Sequence, residues 1–228
     1  TTEHLTAIRN SNGCDLELIE VDLQRDPVNQ DLDREGVWPA YRKLIEERKV
    51  HFFVGTPPCN SSSRSMYSNA WGQKPLRSKA FPMGWPWARG RMKSHIDLHN
   101  RLFEIVWEGA EIATENGIPW LFEHPEDLGR TENGDLPGTL WDMKRMMKLI
   151  IDSKASSVAF FQCDEELLMP TAERPVGETA KPTRLTGTMS DLSNQPNLGM
   201  PQFDAEGFYN GPLPQWCGHH HKAKLIRQ

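Results

Sequence analysis

The sequence predicts an α/β fold with a mainly parallel sheet, followed by a loop-rich C-terminal segment. Between residues 15 and 162, short apolar runs rich in β-forming residues alternate with helical patterns, as in parallel β-α units. After Gln162 this pattern gives way to Pro, Gly, Thr and Asn. With 228 residues and 37% hydrophobic content, the chain is long enough to bury a sizeable core. We therefore expect one domain over residues 1–162 and a loop-rich segment over 163–228.

Each predicted element rests on a local pattern. The strands are short apolar runs containing β-branched and aromatic residues, and the helices carry apolar residues at spacings of three and four. Ser94 is a suitable N-cap for the longest helix. In chain order, the predicted elements are a strand at 15–23, a helix at 38–49, strands at 50–55 and 118–124 separated by a helix at 94–117, a helix at 139–152 and a strand at 157–162.

Composition excludes several classes of protein. A net charge of −5 argues against a uniformly basic nucleic-acid coat, although it allows a local basic face. No apolar run approaches the roughly 20 residues that span a bilayer, and the first residues do not resemble a signal peptide. The four cysteines are widely separated and form no C-x-x-C pair, which favours neither a disulfide scaffold nor a zinc finger. We expect a soluble protein of a reducing, intracellular compartment.

A thiol and a carboxylate follow neighbouring predicted strands. Cys59 lies in the stretch FVGTPPCNSSSRS, just after the second strand, and the fixed φ angles of Pro57 and Pro58 stiffen the turn before it. Glu123 lies at the end of the third predicted strand. In open α/β sheets ligands bind at the carboxyl ends of the strands, so we expect both side chains to face one crevice. A thiolate is a strong nucleophile and a carboxyl group exchanges protons, so the two form a candidate catalytic pair.

These residues resemble two motifs of the cytosine-5 DNA methyltransferases. Residues 58–63, Pro-Cys-Asn-Ser-Ser-Ser, are similar to the family's P-C-x-x-x-S nucleophile loop, and residues 123–125, Glu-His-Pro, are similar to its E-N-(V/P) motif. The resemblance covers roughly residues 15–162 and implies a Rossmann-like S-adenosylmethionine-dependent methyltransferase fold. The stretches PLRS, PMGWPW, KPTRL and GPLP-x-x-CGHHH further resemble a divergent methylase-like group associated with mobile elements.

The resemblance implies a role for each motif residue. Cys59 would attack C6 of a cytosine flipped out of DNA, Glu123 would bind N3 and the exocyclic amine, and C5 would take a methyl group from S-adenosylmethionine. Arg184 would stand in for an arginine of the Gln-x-Arg-x-Arg segment, which this chain lacks after its last predicted strand. A DNA substrate implies an intracellular protein, nuclear in a eukaryote. The residues that the resemblance assigns to the cofactor are Glu20, Asp22, Asp31 and Pro57.

A basic and aromatic segment follows the nucleophile loop. Residues 64–101 carry many Lys and Arg side chains interleaved with aromatic ones, against the single acid Asp97. Such composition suits phosphates and exposed bases, so we expect this segment to contact DNA. The nucleic-acid-binding residues that we predict are Ser63, Arg64, Arg77, Arg89, Arg91 and Lys93.

Departures from the family keep a second function open. The family's glycine-rich cofactor loop is missing, because the chain opens in TTEHLTAIRN, which resembles the helix after that loop. Either that loop lies upstream or cofactor binding is lost. His124 stands where the family has Asn. The alternative is therefore a catalytically inactive nucleic-acid-binding or accessory module. An amino-methyltransferase is disfavoured, since residues 56–59 lack its acceptor and aromatic residues, and Cys217 with His219–His221 lacks a four-ligand metal set.

Overall fold

A computed structural model describes residues 17–67, 74–165, 168–169, 177–178 and 181–217. The chain divides into two compact units, Thr1–Trp38 and Pro39–Gln228. The described residues form the helices α1 (Val37–Glu46), α2 (Gly90–Glu115) and α3 (Lys144–Ser153), and the strands β1 (Phe53–Gly55), β2 (Trp120–Pro125), β3 (Ser156–Phe161), β4 (Leu168–Met169), β5 (Gly177–Glu178), β6 (Pro182–Gly187), β7 (Gln202–Phe203) and β8 (Tyr209–Gly211).

The described part of the first unit consists mainly of turns. The strand predicted at 15–23 is absent from residues 17–23. Asp22 explains this locally, because its Oδ1 accepts a hydrogen bond from the Gln24 backbone N–H at 2.8 Å. The Asp22 backbone N–H itself donates to Gln30 Oε1 at 2.9 Å. Such side-chain contacts offer the backbone an alternative to strand pairing.

The central sheet of the second unit is mixed. Its four described strands lie in the order β1-β2-β6-β3. β1 and β2 are parallel, whereas β6 is antiparallel to both β2 and β3. The fold is therefore mixed α/β, and the mainly parallel, Rossmann-like sheet that we expected is not confirmed. The cause is β6, which comes from the segment predicted to be loop-rich and inserts between two strands of common direction.

One face of the sheet packs against α2. Burial alternates along β2, and Trp120 and Phe122 are completely buried. The helix approaches β1 closely at Gly109, where a Cβ atom would lie 2.5 Å from the Phe53 ring. A side chain there would force the Phe53 ring to move, so glycine at this position lets α2 lie close against the strand that precedes Cys59.

Most predicted helices and strands are present with shifted ends. α2 begins at Gly90, four residues before the predicted start. The helix predicted at 139–152 is a 3₁₀ turn, Leu140–Asp142, followed by α3, because Met143 between them is extended. The strand predicted at 50–55 shortens to β1. No helix in the described part of the chain is long and apolar enough to cross a membrane.

Candidate active site at one edge of the sheet

Four chain segments meet at one edge of the sheet. The carboxyl ends of the parallel strands β1 and β2 share this edge, and β3 ends there too because it is antiparallel to β6. β6 runs the opposite way and therefore begins at the same edge. The polar residues at these positions are Cys59, Glu123, Gln162 and Lys181, which we call the edge cluster.

Two neighbouring side chains contact Glu123, and both contacts are long and made to the same carboxylate oxygen. Lys181 Nζ lies 3.4 Å from Glu123 Oε1, and Gln162 Nε2 approaches the same oxygen at 3.5 Å. The Gln162 backbone N–H donates to the Lys181 carbonyl at 3.0 Å, which fixes the two segments relative to each other. About a quarter to a third of the Lys181 and Glu123 side chains remains exposed (33% and 27%), so a ligand can reach this ion pair.

The Cys59 thiol is half-buried and electrostatically linked to this ion pair. Burial raises the pKa of Cys59, the Lys181 ammonium lowers it, and the Glu123 carboxylate raises it again. At rest the thiol therefore favours its protonated form. A ligand that reduces the negative charge of Glu123 would favour the thiolate, because it removes one of the two effects that raise this pKa.

Arg77 anchors the loop that follows Cys59. Its Nε donates to Ser61 Oγ at 3.0 Å, its Nη1 donates to Asn100 Oδ1 at 2.7 Å, and its guanidinium lies 5.1 Å from the centre of the Phe103 ring. The residue is only 1% exposed, and burial lowers its pKa to about 10. This placement corrects the nucleic-acid contact predicted for Arg77, because its guanidinium has no surface to offer a phosphate.

His124 ties the same loop to β2. Its Nε2 lies 3.3 Å from Ser62 Oγ, while the Ser62 backbone N–H closes a turn onto the Cys59 carbonyl at 3.0 Å. The imidazole is fully buried, with its ring edge-on to Phe103 and Trp141. Burial lowers its pKa to about 3, so it is neutral at pH 7. His124, at the position where the resemblance leads us to expect Asn, is thus a packed, neutral hydrogen-bonding partner of the loop that follows Cys59.

Arg184 belongs to the interior. It pairs with His124 across the sheet, so it points away from the face of Glu123. Its guanidinium binds both oxygens of Glu126, at 2.6 and 2.7 Å, and donates to Ser157 Oγ at 2.7 Å. Tyr209 donates to the same carboxylate at 2.8 Å. Both charged side chains are fully buried, and we assign this interior pair, Glu126 and Arg184, to the stability of the sheet instead of to the candidate site.

The residues predicted to hold the cofactor lie in both units. Glu20 forms an ion pair with Arg25 at 2.7 Å, and Asp22 and Asp31 each cap a turn by accepting from the amide two residues further on. Pro57 is buried and lies two residues before Cys59. Carboxylate oxygens can accept hydrogen bonds from ribose hydroxyls and amino groups, which is the chemistry that the predicted cofactor role asks of Glu20, Asp22 and Asp31.

The predicted nucleic-acid residues differ in exposure. Arg64 is half-buried, and its Nη1 donates to the Leu128 carbonyl at 2.7 Å. The Ser63 hydroxyl lies 2.8 Å from that of Ser65. These contacts hold the loop locally. The exposed cations at the start of α2 are Arg89, Arg91 and Lys93.

Sequence reasoning missed Lys181 and Gln162 as site residues. Lys181 directly precedes β6, so recognising that strand and its direction would have placed the ammonium at this edge. Among the residues that the structure describes, no group of His, Cys, Asp and Glu is suited to a metal ion, and His219–His221 and Trp71 lie outside them. Comparisons with protein-family models, curated proteins and solved structures found no match for this chain. The edge cluster is therefore the feature from which a function can be inferred.

Proposed function

We propose that this protein is a DNA cytosine-5 methyltransferase-like enzyme in which Cys59 is the nucleophile and Glu123 holds the target base. The observation that supports this proposal is the edge cluster itself. A half-buried thiol and a partly exposed carboxylate follow two neighbouring parallel strands, with the Lys181 ammonium beside them. This is the combination that nucleophilic addition to a cytosine ring requires.

In the first step the Cys59 thiol would lose its proton to solvent, and the resulting thiolate would form a bond between its sulfur and C6 of cytosine. The electron pair of the C5–C6 double bond then moves onto C5 and into the ring. Glu123 aids this step by sharing a proton with N3, which draws electron density from C6. The same proton reduces the negative charge that opposes thiolate formation at Cys59. Base binding and thiol activation are thereby coupled through one carboxyl group.

The second step would restore the aromatic ring. S-adenosylmethionine would supply the methyl group that C5 accepts, and the acidic residues that the resemblance assigns to this cofactor are Glu20, Asp22 and Asp31. Loss of the C5 proton to a base then lets the bond between sulfur and C6 break, and the electron pair returns to Cys59 as a thiolate. The Lys181 ammonium stabilises this leaving thiolate because the two groups interact electrostatically.

The alternative is a catalytically inactive nucleic-acid-binding or accessory module derived from such an enzyme. The observation that favours it is the resting state of Cys59, since burial is the largest effect on this thiol and favours its neutral form. The two functions differ in whether Cys59 ever forms a bond to the base.

Covalent trapping separates these functions. An oligonucleotide containing 5-fluorocytosine, incubated with the protein and S-adenosylmethionine, should give an adduct that survives denaturation, because fluorine cannot leave C5 as a proton does. Intact mass should equal protein plus oligonucleotide plus one methyl group. Cys59→Ser should abolish the adduct, while Cys217→Ser, which changes another half-buried thiol, should retain it. Wild-type protein that binds both ligands without forming an adduct would favour the inactive module.

A further inference from the structure

Three aromatic side chains cluster before α2, and two of them, Phe81 and Trp87, are exposed. The Trp85 and Trp87 rings are stacked, with centroids 4.8 Å apart and planes 25° apart, and the Phe81 ring packs 5.4 Å from Trp87, edge-on. We call these three residues the aromatic platform. Trp87 is 59% exposed although it stacks on Trp85, so much of its indole surface faces solvent. A planar ligand stacked on Trp87 would extend the existing stack.

The aromatic platform is fixed from below. Trp85 Nε1 donates to the Pro75 carbonyl at 2.7 Å, and its ring packs against the buried cluster of Leu76, Ala88 and Ile96. Gly84 has a φ of +106°, and a Cβ atom there would lie 2.4 Å from Ile96. A held surface loses little conformational entropy when a ligand stacks on it, so this exposed tryptophan is suited to binding.

The charges beside the aromatic platform select the ligand. Arg89 and Arg91 are exposed directly after Trp87, and Arg89 is oriented by donating to the Ala88 carbonyl at 2.7 Å. Lys93 is neutralised by Asp97 at 2.6 Å. Two nearby guanidinium groups disfavour a cationic ligand, and two stacked indoles do not surround one as an aromatic cage does. A planar ring attached to an anion fits both features.

The aromatic platform is also connected to the candidate active site. Arg77 donates through Nη1 to the Pro82 carbonyl at 2.9 Å, within the turn that carries the aromatic platform. Through Nε the same guanidinium donates to Ser61, two residues after Cys59. One buried side chain therefore joins the turn of Phe81 to the nucleophile loop.

We propose that the aromatic platform stacks an unpaired nucleobase of a nucleic-acid strand, whose phosphates contact Arg89 and Arg91. The proposal rests on the proposed function for the choice of partner. It extends that function by giving the enzyme a second base-binding position, separate from Cys59, for a strand with bases out of the helical stack. Stacking on aromatic side chains tolerates any base, so this position would add affinity without reading sequence.

Binding of a fluorescently labelled single-stranded DNA at several salt concentrations tests the aromatic platform. Trp87→Ala should weaken binding about tenfold at every salt concentration, because a stacked base contributes about 1–3 kcal/mol. Trp87→Phe should retain most of the affinity. Arg89→Ala with Arg91→Ala should instead flatten the salt dependence, by about 0.7 in log–log slope for each phosphate that the variant no longer neutralises. Trp216→Ala is the matched control, because Trp216 is 57% exposed outside the aromatic platform, and it should leave binding unchanged.

Three outcomes would overturn the proposal: equal affinities for Trp87→Ala and Trp216→Ala, an equal loss for blunt duplex and single strand, or an unchanged salt slope in the double arginine variant. Binding of RNA of the same sequence shows whether the partner is DNA or RNA. A loss of affinity in Trp87→Ala with either strand supports stacking. The trapping experiment separates this result from the proposed function. A Trp87-dependent loss of affinity without any Cys59 adduct would support the aromatic platform and refute the chemistry, whereas an adduct with unchanged Trp87→Ala affinity would do the opposite.

Discussion

Two ion pairs of this protein each join a glutamate to a basic side chain, and they differ in contact geometry and in exposure to solvent. In the edge cluster, Glu123 meets Lys181 through one contact of 3.4 Å, and both side chains are partly exposed. In the interior pair, Glu126 meets Arg184 through two contacts of 2.6 and 2.7 Å, and neither side chain is exposed. The glutamates lie only three residues apart in the chain.

The difference shows that the length and number of its contacts decide whether a carboxylate stabilises the fold or can bind a ligand. The interior carboxylate has its two oxygens bound by Arg184 and Tyr209 and offers nothing to a ligand. The edge carboxylate has long contacts and access to solvent, so a base can compete for it. The sequence presents both as a glutamate near the end of one strand, and only the three-dimensional arrangement distinguishes them.

Breaking the interior pair should have the largest effect on stability. Arg184→Ala leaves the Glu126 charge buried with its main partner removed, which typically costs about 3–5 kcal/mol. Denaturant unfolding measures this loss. Lys181→Met breaks the matched edge pair and should cost less than about 1 kcal/mol, as for other exposed pairs. Similar losses for both variants would contradict the contrast between the two pairs.

Glu123→Gln should have a large effect on adduct formation and only a small effect on stability. Removing the exchangeable proton should slow formation of the 5-fluorocytosine adduct about a hundredfold or more, the range of general acid–base catalysis. The free energy of unfolding should change by less than about 0.5 kcal/mol, because the side chain is partly exposed. Rates from time-resolved intact mass test this prediction. A trapping rate equal to that of wild type would show that Glu123 plays no part in the addition.

Acidification should destabilise the fold because two buried histidines, His124 and His99, must become protonated on unfolding. Burial lowers the pKa of His124 to about 3 and that of His99 to about 4, whereas both titrate near 6.5 when unfolded. The unfolded chain therefore binds more protons below pH 6.5, so the stability present above pH 6.5 is lost as pH falls toward 4. At pH 5 the loss should be about 2 kcal/mol for each histidine.

Unfolding measured at pH 7 and pH 5 tests this pH dependence. His124→Asn should reduce it, because the asparagine does not titrate. A pH dependence of His124→Asn equal to that of wild type would contradict the account of His124 as a neutral buried anchor of the loop that follows Cys59.

The smallest predicted effect concerns the resting thiol. Lys181→Met removes the charge that lowers the pKa of Cys59, so the pKa should rise and alkylation by iodoacetamide at pH 8 should slow several-fold. Glu123→Gln should accelerate it, since that carboxylate raises the same pKa. Site-resolved mass spectrometry measures both rates, with Cys217 as the internal reference. Unchanged Cys59 alkylation rates in both variants would show that the ion pair does not influence the pKa of this thiol.

The sequence predicted the main helices, two adjacent parallel strands and, from their direction, a thiol and a carboxylate at one edge. It did not predict β6, because Pro-Thr-Arg-Leu-Thr-Gly carries one aliphatic side chain and is buried through polar contacts. Lys181 was missed with it. The burial of Arg77 could not be predicted from the sequence either, because its partners Ser61 and Asn100 lie 16 and 23 residues away along the chain. Local composition describes such an arginine as a surface cation.

Hydrogen exchange at C5 of cytosine tests the central claim most directly, because it needs only the edge cluster and DNA. In D₂O, addition of the Cys59 thiolate to C6 lets C5 take a deuteron, and loss of the original proton followed by departure of the thiolate returns cytosine labelled at C5. Wild-type protein should label target cytosines, Glu123→Gln should label them far more slowly, and Cys59→Ser should not label them. Labelling by Cys59→Ser at the wild-type rate would contradict the claim that this thiol adds to the base.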